Sequence, residues 1–396
     1  MCEDETRQRV SEKVIEAVQE LLPALRERAQ DAEDARRISD ESVKALQEAG
    51  VFRLLQPARF GGYEADPLTF YTAVRTIAGA CGSTGWVSSV LGVHPWQLSL
   101  FPGQAQDDVW GDDPHTRMSS SYAPTGKATL VDGGYRLTGR WAFSSGCDHA
   151  TWVLLGGIVL DDKGNRVDFK TFLLPISDYT IDDVWHTVGL RGTGSNDIIV
   201  NDVFVPAHRT LSFMDTTRCV CPGQEVNPGA LYRLPFGSVF SYTITTPIIG
   251  MATGAYQAHL DYMKKRVRVS YGSKAAEDPF AQVRIADAAS EIDAAWLQLE
   301  NHMGALTRHA EAGEQIPMPL RFAVRRDQVK GTARCIAAVD KLFENSGGKS
   351  LKVGTPIQRF WRDAHAGRGH AINDPERALS MFGAMELGLP VQDAMV

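Results

Sequence analysis

A mainly helical protein with a β-domain inserted in its middle is the fold class this sequence predicts, from two changes of hydrophobic period along the chain. Apolar residues recur every three to four positions up to about residue 115 and every second position from about 118 to 211. The helical period returns after a polar, Gly- and Pro-containing connection at 219–229. The length, 396 residues at 43% hydrophobic, supplies about 170 core-forming side chains, enough for two or three packed units.

At the start of the chain Val10, Val14, Val18, Leu21, Leu22 and Leu25 form one stripe with Glu and Arg opposite, an amphipathic helix. Ser39, followed by Asp40 and Glu41, opens a short helix that carries Val43 and Leu46 and closes at Gly50. After the turn at Phe60, Gly61, Gly62 and Tyr63, Asp66 as N-cap and Pro67 start a helix with Leu68, Tyr71, Val74 and Ile77 inward. An apolar helix begins near Thr84, with His94 at its end. In the middle zone Tyr135, Leu137, Gly139, Trp141 and Phe143 alternate with Arg136, Thr138 and Arg140, the period of a strand. The turn at 161–165 joins strands at 153–160 and 167–174, and a further strand runs over 198–205 to Pro206, so five or more strands are expected. Beyond the connection, 241–268 reads as a helix whose Gly250, Ala252, Gly254, Ala255 and Ala258 permit close packing. Asp278 and Pro279 start a helix to about His309, and Pro319 one to about Asn345, ended by Ser346, Gly347 and Gly348. Helices of about 30 residues exceed what one small core needs, so they are expected to pack on other subunits as well. Domain boundaries are placed at 1–116, 117–229 and 230–396.

Charge and cysteine usage narrow the function classes. With 41 Lys and Arg against 48 Asp and Glu the net charge is −7, which argues against a nucleic-acid partner. No apolar run approaches the roughly 18 residues of a membrane span, and a charged first segment together with six scattered cysteines fits a cytoplasmic protein in a reducing compartment. No P-loop, GxGxxG, HExxH or paired CxxC occurs, and Cys219 and Cys221 lack neighbouring ligands, so no metal is expected. Single residues say little. His94, the run Ser119 to Tyr122, the turn Ser144, Ser145 and Gly146, and the stretch Arg362 to His370 each fit an ordinary structural role.

Their order along the chain is more specific. Gly133-Gly134-Tyr135-Arg136-Leu137-Thr138-Gly139, Trp141 with Ser144-Ser145-Gly146, Gly189-Leu190-Arg191-Gly192-Thr193-Gly194-Ser195 and Val203-Phe204-Val205-Pro206 resemble the central β-domain of the acyl-CoA dehydrogenase superfamily. Phe60-Gly61-Gly62 and Arg362-Asp363-Ala364 match in order on either side, so the resemblance covers nearly the whole chain. It implies an N-terminal helical domain, a central β-barrel and a C-terminal four-helix bundle, assembled as a homotetramer with flavin at a subunit junction. Many of the dehydrogenases carry a catalytic Glu after their Arg-Asp-Ala element, where this chain has His370 and Ala371.

That departure points to another branch. His94, Ser120, Ser145 and His370 match the oxygenase components of two-component flavin-dependent phenol hydroxylases, and the stretches at 81–89, 119–124, 144–149 and 360–368 resemble the actinobacterial steroid-ring hydroxylases among them. The resemblance implies 4-hydroxylation of the phenolic ring of 3-hydroxy-9,10-secoandrosta-1,3,5(10)-triene-9,17-dione to a catechol, through a flavin C4a-hydroperoxide. Reduced FMN or FAD, delivered by a separate NADH-dependent flavin reductase, and O2 would be consumed. An FAD-dependent acyl-CoA dehydrogenase is the alternative, since some of these place their Glu on another helix.

The resemblance gives His94 the phenolic hydrogen bond with Ser120 as its orienting partner, Ser145 the flavin N5 edge, and His370 the supply of a proton or positive charge to oxygen. It sets Trp86, Ser120, Ser121, Tyr122, Phe143, Ser144, Ser145, His370 and Ala371 around the flavin, with Trp141 either wall or plain core. Gly348, Lys349, Ser350, Leu351 and Lys352 would hold its phosphate by backbone N–H groups and charge. Arg266, or equally Arg268, would reach that phosphate in a neighbouring subunit.

Overall fold

The computed structural model of the chain describes residues 3–161, 163–268, 273–391, 393 and 395. Six helices come first: α1 (Glu3–Glu27), α2 (Ala29–Ala35), α3 (Asp40–Glu48), α4 (Pro67–Ala78), α5 (Gly82–Leu98) and α6 (Gly103–Trp110). Their starts follow the capping signals, since Ser39 Oγ accepts from the Ser42 N–H at 3.1 Å and Asp66 Oδ1 from the Leu68 N–H at 2.8 Å. Helix α5 is buried along its whole length, so no amphipathic stripe marks it.

Seven strands follow: β1 (Met118–Val131), β2 (Gly134–Ser144), β3 (Trp152–Leu160), β4 (Arg166–Pro175), β5 (Thr180–Asp182), β6 (Asn196–Pro206) and β7 (Thr210–Ser212). They form one sheet in the order β5-β6-β2-β1-β3-β4-β7, antiparallel except for the β1 and β3 pair. This refines the expected barrel. The sheet curls around its own core of Leu137, Trp141, Leu155, Phe172 and Ile198, but its edge strands β5 and β7 do not pair with each other, so it is not closed. The ladder between β1 and β2 spans only Lys127↔Thr138 to Val131↔Gly134, and β1 shifts register against β3 between Ser121 and Gly126. The N-terminal part of β1 is thereby released from β2 to face the helices.

The C-terminal part holds α7 (Phe213–Arg218), α8 (Phe236–Lys265), α9 (Pro279–Glu311), α10 (Met318–Ser346), α11 (Pro356–Arg368) and α12 (Pro375–Glu386). Helices α8 to α11 make the expected bundle, with α8 starting earlier than its sequence pattern suggested. Gly250 of α8 lies so near α4 that a Cβ there would sit 2.4 Å from the Arg75 carbonyl. That contact seats the bundle on the N-terminal helices and brings α5, α8 and the ends of β1 and β2 together. Among the described residues, no helix is long and apolar enough to cross a membrane.

Candidate active site

Side chains from five elements meet where those parts come together. Ser145, just past β2, accepts a hydrogen bond from the Trp86 indole of α5 at 3.0 Å. The Trp86 ring lies 6.1 Å, centroid to centroid, from His370, which lies 6.4 Å from Phe240 of α8. Phe240 is 5.1 Å from Tyr122 of β1, and two residues before it Ser120 bonds His94 of α5 at 2.8 Å. Side chains tie β1 back to β2, Ser121 Oγ donating to the Ala142 carbonyl at 2.8 Å and Ser144 Oγ to Ser119 Oγ at 3.1 Å. All four residues given reaction roles from the sequence therefore line one ring. Beside Tyr122 the wall continues in Phe213 and Phe236, 6.1 and 5.7 Å away.

The backbone turns at Phe143, whose φ of +68° is costly for a residue with a side chain, about 1–3 kcal/mol. The turn breaks the strand alternation, so Ser144 and Ser145 are both buried while the Phe143 ring is 67% exposed. That ring meets Trp185 edge on at 5.9 Å.

Hydrogen-bond partners decide the state of each histidine. His94 is fully buried, and its Nδ1 lies 2.6 Å from the Met118 carbonyl, which can only accept. The ring proton is therefore on Nδ1, and Nε2 is a bare acceptor facing Ser120. Burial pushes its pKa down to about 4, so the ring is neutral at pH 7. His370 is arranged the other way: its Nδ1 accepts the Ile372 N–H at 3.2 Å, which leaves the proton on Nε2. Burial, aided by the Arg325 guanidinium, also holds His370 near 4. At neutral pH His370 thus offers an N–H, whereas the sequence reading allowed a positive charge as well. Its segment is pinned from behind by Asn373 Nδ2 donating to the Gly367 carbonyl at 2.9 Å and Arg325 Nη2 to the Ile372 carbonyl at 3.1 Å.

Other residues singled out from the sequence are placed elsewhere. Trp141 is fully buried with its indole on the Gly156 carbonyl at 2.7 Å, so it is core and not wall. The Tyr122 hydroxyl is taken by Gln97. Gly348, Lys349, Ser350 and Leu351 form a turn after α10, followed by exposed Lys352, and this group shares no residue with the ring around His94 and Ser145. Lys349 and Ser350 instead line a separate cavity of about 950 Å³ with Arg75, Gly254, Tyr262 and Arg359. Arg266 reaches the same turn, donating to the Asn345 carbonyl at 2.8 Å, and the side chain of Arg268 lies outside the described residues. Ala371 follows His370 at the exposed edge of its turn.

Several contributors escaped the sequence reading. Phe240 sits in a helix buried on all sides along its first half, where a wall residue has the same pattern as core. Thr193 and Ser195 were recognised as motif members, but no role could be read for their hydroxyls, which connect to Ser145. Asp363, fully buried, accepts the Leu190 N–H at 2.6 Å and anchors that motif loop.

The ring suits a flavin edge by its own chemistry. Ser145 presents a hydroxyl oxygen, His370 presents an N–H, and the walls are aromatic. Among the described residues there is no cluster of His, Cys, Asp or Glu fit for a metal.

Comparison with known proteins identifies relatives of the whole chain. Residues 4–110 match the acyl-CoA dehydrogenase N-terminal domain family and 242–375 the acyl-CoA dehydrogenase C-terminal domain family. The chain is 60% identical over 377 residues to the flavin-dependent monooxygenase, oxygenase subunit HsaA, of Rhodococcus jostii, covering 95% of this chain and 98% of that one. To the HsaA oxygenase subunit of Mycobacterium tuberculosis it is 54% identical over 391 residues, 98% of this chain and 99% of the relative. The crystal structure of the 3-HSA hydroxylase from Rhodococcus sp. RHA1 superposes with a TM-score of 0.94 at 58% identity, covering 97% of this chain and 99% of the other.

Proposed function

Since the chain belongs to the flavin-dependent monooxygenase oxygenase subunits of the acyl-CoA dehydrogenase superfamily, we propose that it hydroxylates a phenolic secosteroid ortho to its hydroxyl. The substrate proposed is 3-hydroxy-9,10-secoandrosta-1,3,5(10)-triene-9,17-dione, attacked at C4 to give a catechol. The observation that carries this reading is the pair of neutral histidines with opposite tautomers on one ring of aromatic contacts. When bound, reduced FMN or FAD supplies the activated oxygen atom from O2 that is transferred to the ring.

The chain's residues do the rest. A phenol has a pKa near roughly 10, so its ring becomes a better nucleophile as its hydroxyl proton is drawn off. His94 Nε2 is the acceptor for that proton, directly or through Ser120, and the Met118 carbonyl stabilises the resulting imidazolium through Nδ1–H. Ser145 would accept a hydrogen bond from N5–H of a reduced flavin held here, and His370 Nε2–H would supply a hydrogen bond to oxygen. Tyr122, Phe213, Phe236 and Phe240 bound the side that receives a fused-ring body and exclude water.

The phosphate turn at Gly348 to Lys352 and Arg266, which share no residue with this ring in one chain, serve the flavin of a neighbouring copy in a homotetramer. Exposed Phe280, Val283 and Leu297 on α9 support burial against other copies. A separate NADH-dependent flavin reductase supplies the reduced flavin, and the boundaries at 116/117 and 229/230 are part of the same proposal. The reading is tested by supplying photoreduced FMN and air with either the secosteroid or simple phenols and comparing catechol yields. Preference for the secosteroid supports it; equal yields from all phenols would remove the substrate assignment while leaving the reaction class.

A further inference from the structure

We propose that Ser195 and Thr193 are positioning residues: they fix the Ser145 hydroxyl as a hydrogen-bond acceptor toward the flavin, so that the cleft distinguishes reduced from oxidised flavin. The inference rests on the reading that Ser145 faces flavin N5.

Each hydroxyl has a single hydrogen, so a chain of hydroxyls anchored at one end has one direction. Thr193 Oγ1 lies 2.8 Å from the Leu190 carbonyl, which can only accept, so the Thr193 hydrogen is spent there. Ser195 Oγ lies 2.6 Å from Thr193 Oγ1, and the hydrogen between them must come from Ser195. Ser145 Oγ lies 2.7 Å from Ser195 Oγ, and by the same count Ser145 is the donor. At the other end the Trp86 indole N–H, which can only donate, gives its hydrogen to Ser145 at 3.0 Å. The hydrogen of Ser145 is therefore directed into the protein, and what remains for the cleft is an oxygen lone pair.

Burial locks this direction. Ser145, Ser195 and Thr193 are 8%, 3% and 2% exposed, so water does not offer substitute partners. Turning the Ser145 hydrogen toward the cleft would require Ser195 to donate back to Ser145, which would set lone pairs against each other either between Thr193 and Ser195 or, if Thr193 turned to donate to Ser195, between Thr193 and the Leu190 carbonyl 2.8 Å away. The loop that presents them is held as well. Leu190 donates its N–H to Asp363 at 2.6 Å, and Gly189 packs on the Arg362 backbone.

Reduced flavin carries a hydrogen on N5, whereas oxidised flavin has a bare N5 lone pair. An acceptor at Ser145 matches the first and opposes the second. An enzyme that takes reduced flavin from another protein and must release the oxidised form gains from this asymmetry.

The test measures dissociation constants of the full-length protein for oxidised FMN and, anaerobically, for photoreduced FMN. Wild type is expected to bind reduced FMN about tenfold or more tighter, the difference one matched hydrogen bond makes. Thr193→Val frees Ser195 to donate to Ser145 and Ser145 to donate into the cleft, so the ratio should fall by about tenfold, chiefly through tighter binding of oxidised FMN. Ser195→Ala should lower the ratio too, while Thr193→Ser and Ser195→Thr, which keep the hydroxyls, should restore it. A purely structural role would weaken both redox states by the same factor, and that result, or an unchanged ratio in folded Thr193→Val and Ser195→Ala, overturns the relay. Failure of wild type to bind either redox form of FMN or of FAD would overturn the flavin reading itself, and this inference with it.

Discussion

Replacing Ser145 with alanine removes the hydroxyl that joins Trp86 to Ser195. Reduced flavin should still be consumed, but the hydrogen peroxide released per catechol formed should rise severalfold, read by product analysis beside a peroxidase assay. His94→Ala takes away the proposed acceptor of the phenolic proton while leaving the residues assigned to the flavin intact, and catechol formation should fall by roughly 10²- to 10⁴-fold with flavin oxidation continuing. Equal losses of both activities would assign His94 to the fold instead. The sequence proposed these residues by their order and spacing. Their hydrogen-bonding directions were not legible there, because a tautomer is set by what lies opposite Nδ1: the Met118 carbonyl for His94, the Ile372 N–H for His370.

Elements decide whether such residues meet. The changes of period located helices, strands and bundle, since burial on one face leaves a regular trace in sequence. Register and bulges leave none, and the gap in the β1 and β2 ladder that frees Ser119 to Tyr122 depends on pairing across distant residues. The loop between β5 and β6 shows how narrow the tolerance is. A Cβ on Gly189 would lie 2.1 Å from the Arg362 carbonyl, against backbone that cannot swing aside. Gly189→Ala should therefore destabilise by roughly 1–3 kcal/mol, visible as a lower Tm, and should raise peroxide leakage because the loop carries Thr193 and Ser195. An unchanged Tm with normal coupling would show that the loop is not the rigid support described here.

At the scale of the whole molecule, buried neutral histidines shape stability against pH. His94, His149, His259 and His370 are all held near 4 by burial, against an ordinary 6.5. As pH falls through 6.5 the unfolded chain takes up protons that the folded chain refuses, so their contribution is full above about 6.5 and is lost progressively toward 4. For fully buried His94 the loss amounts to roughly 3 kcal/mol. Asp363 opposes it, because burial raises its carboxyl to about 6 and folding is favoured as it becomes protonated below that pH. With four histidines against two raised carboxyls, Asp363 and Asp148, Tm should drop between pH 7 and 5, and His94→Gln should flatten the slope. A Tm independent of pH over this range would contradict the assigned states. The central claim is that this chain transfers one atom of dioxygen to a phenol, and isotope labelling tests it most directly. Turnover of photoreduced FMN and the secosteroid under ¹⁸O2 should give a catechol carrying a single ¹⁸O; catechol without ¹⁸O, or only hydrogen peroxide from the folded protein, would contradict the account.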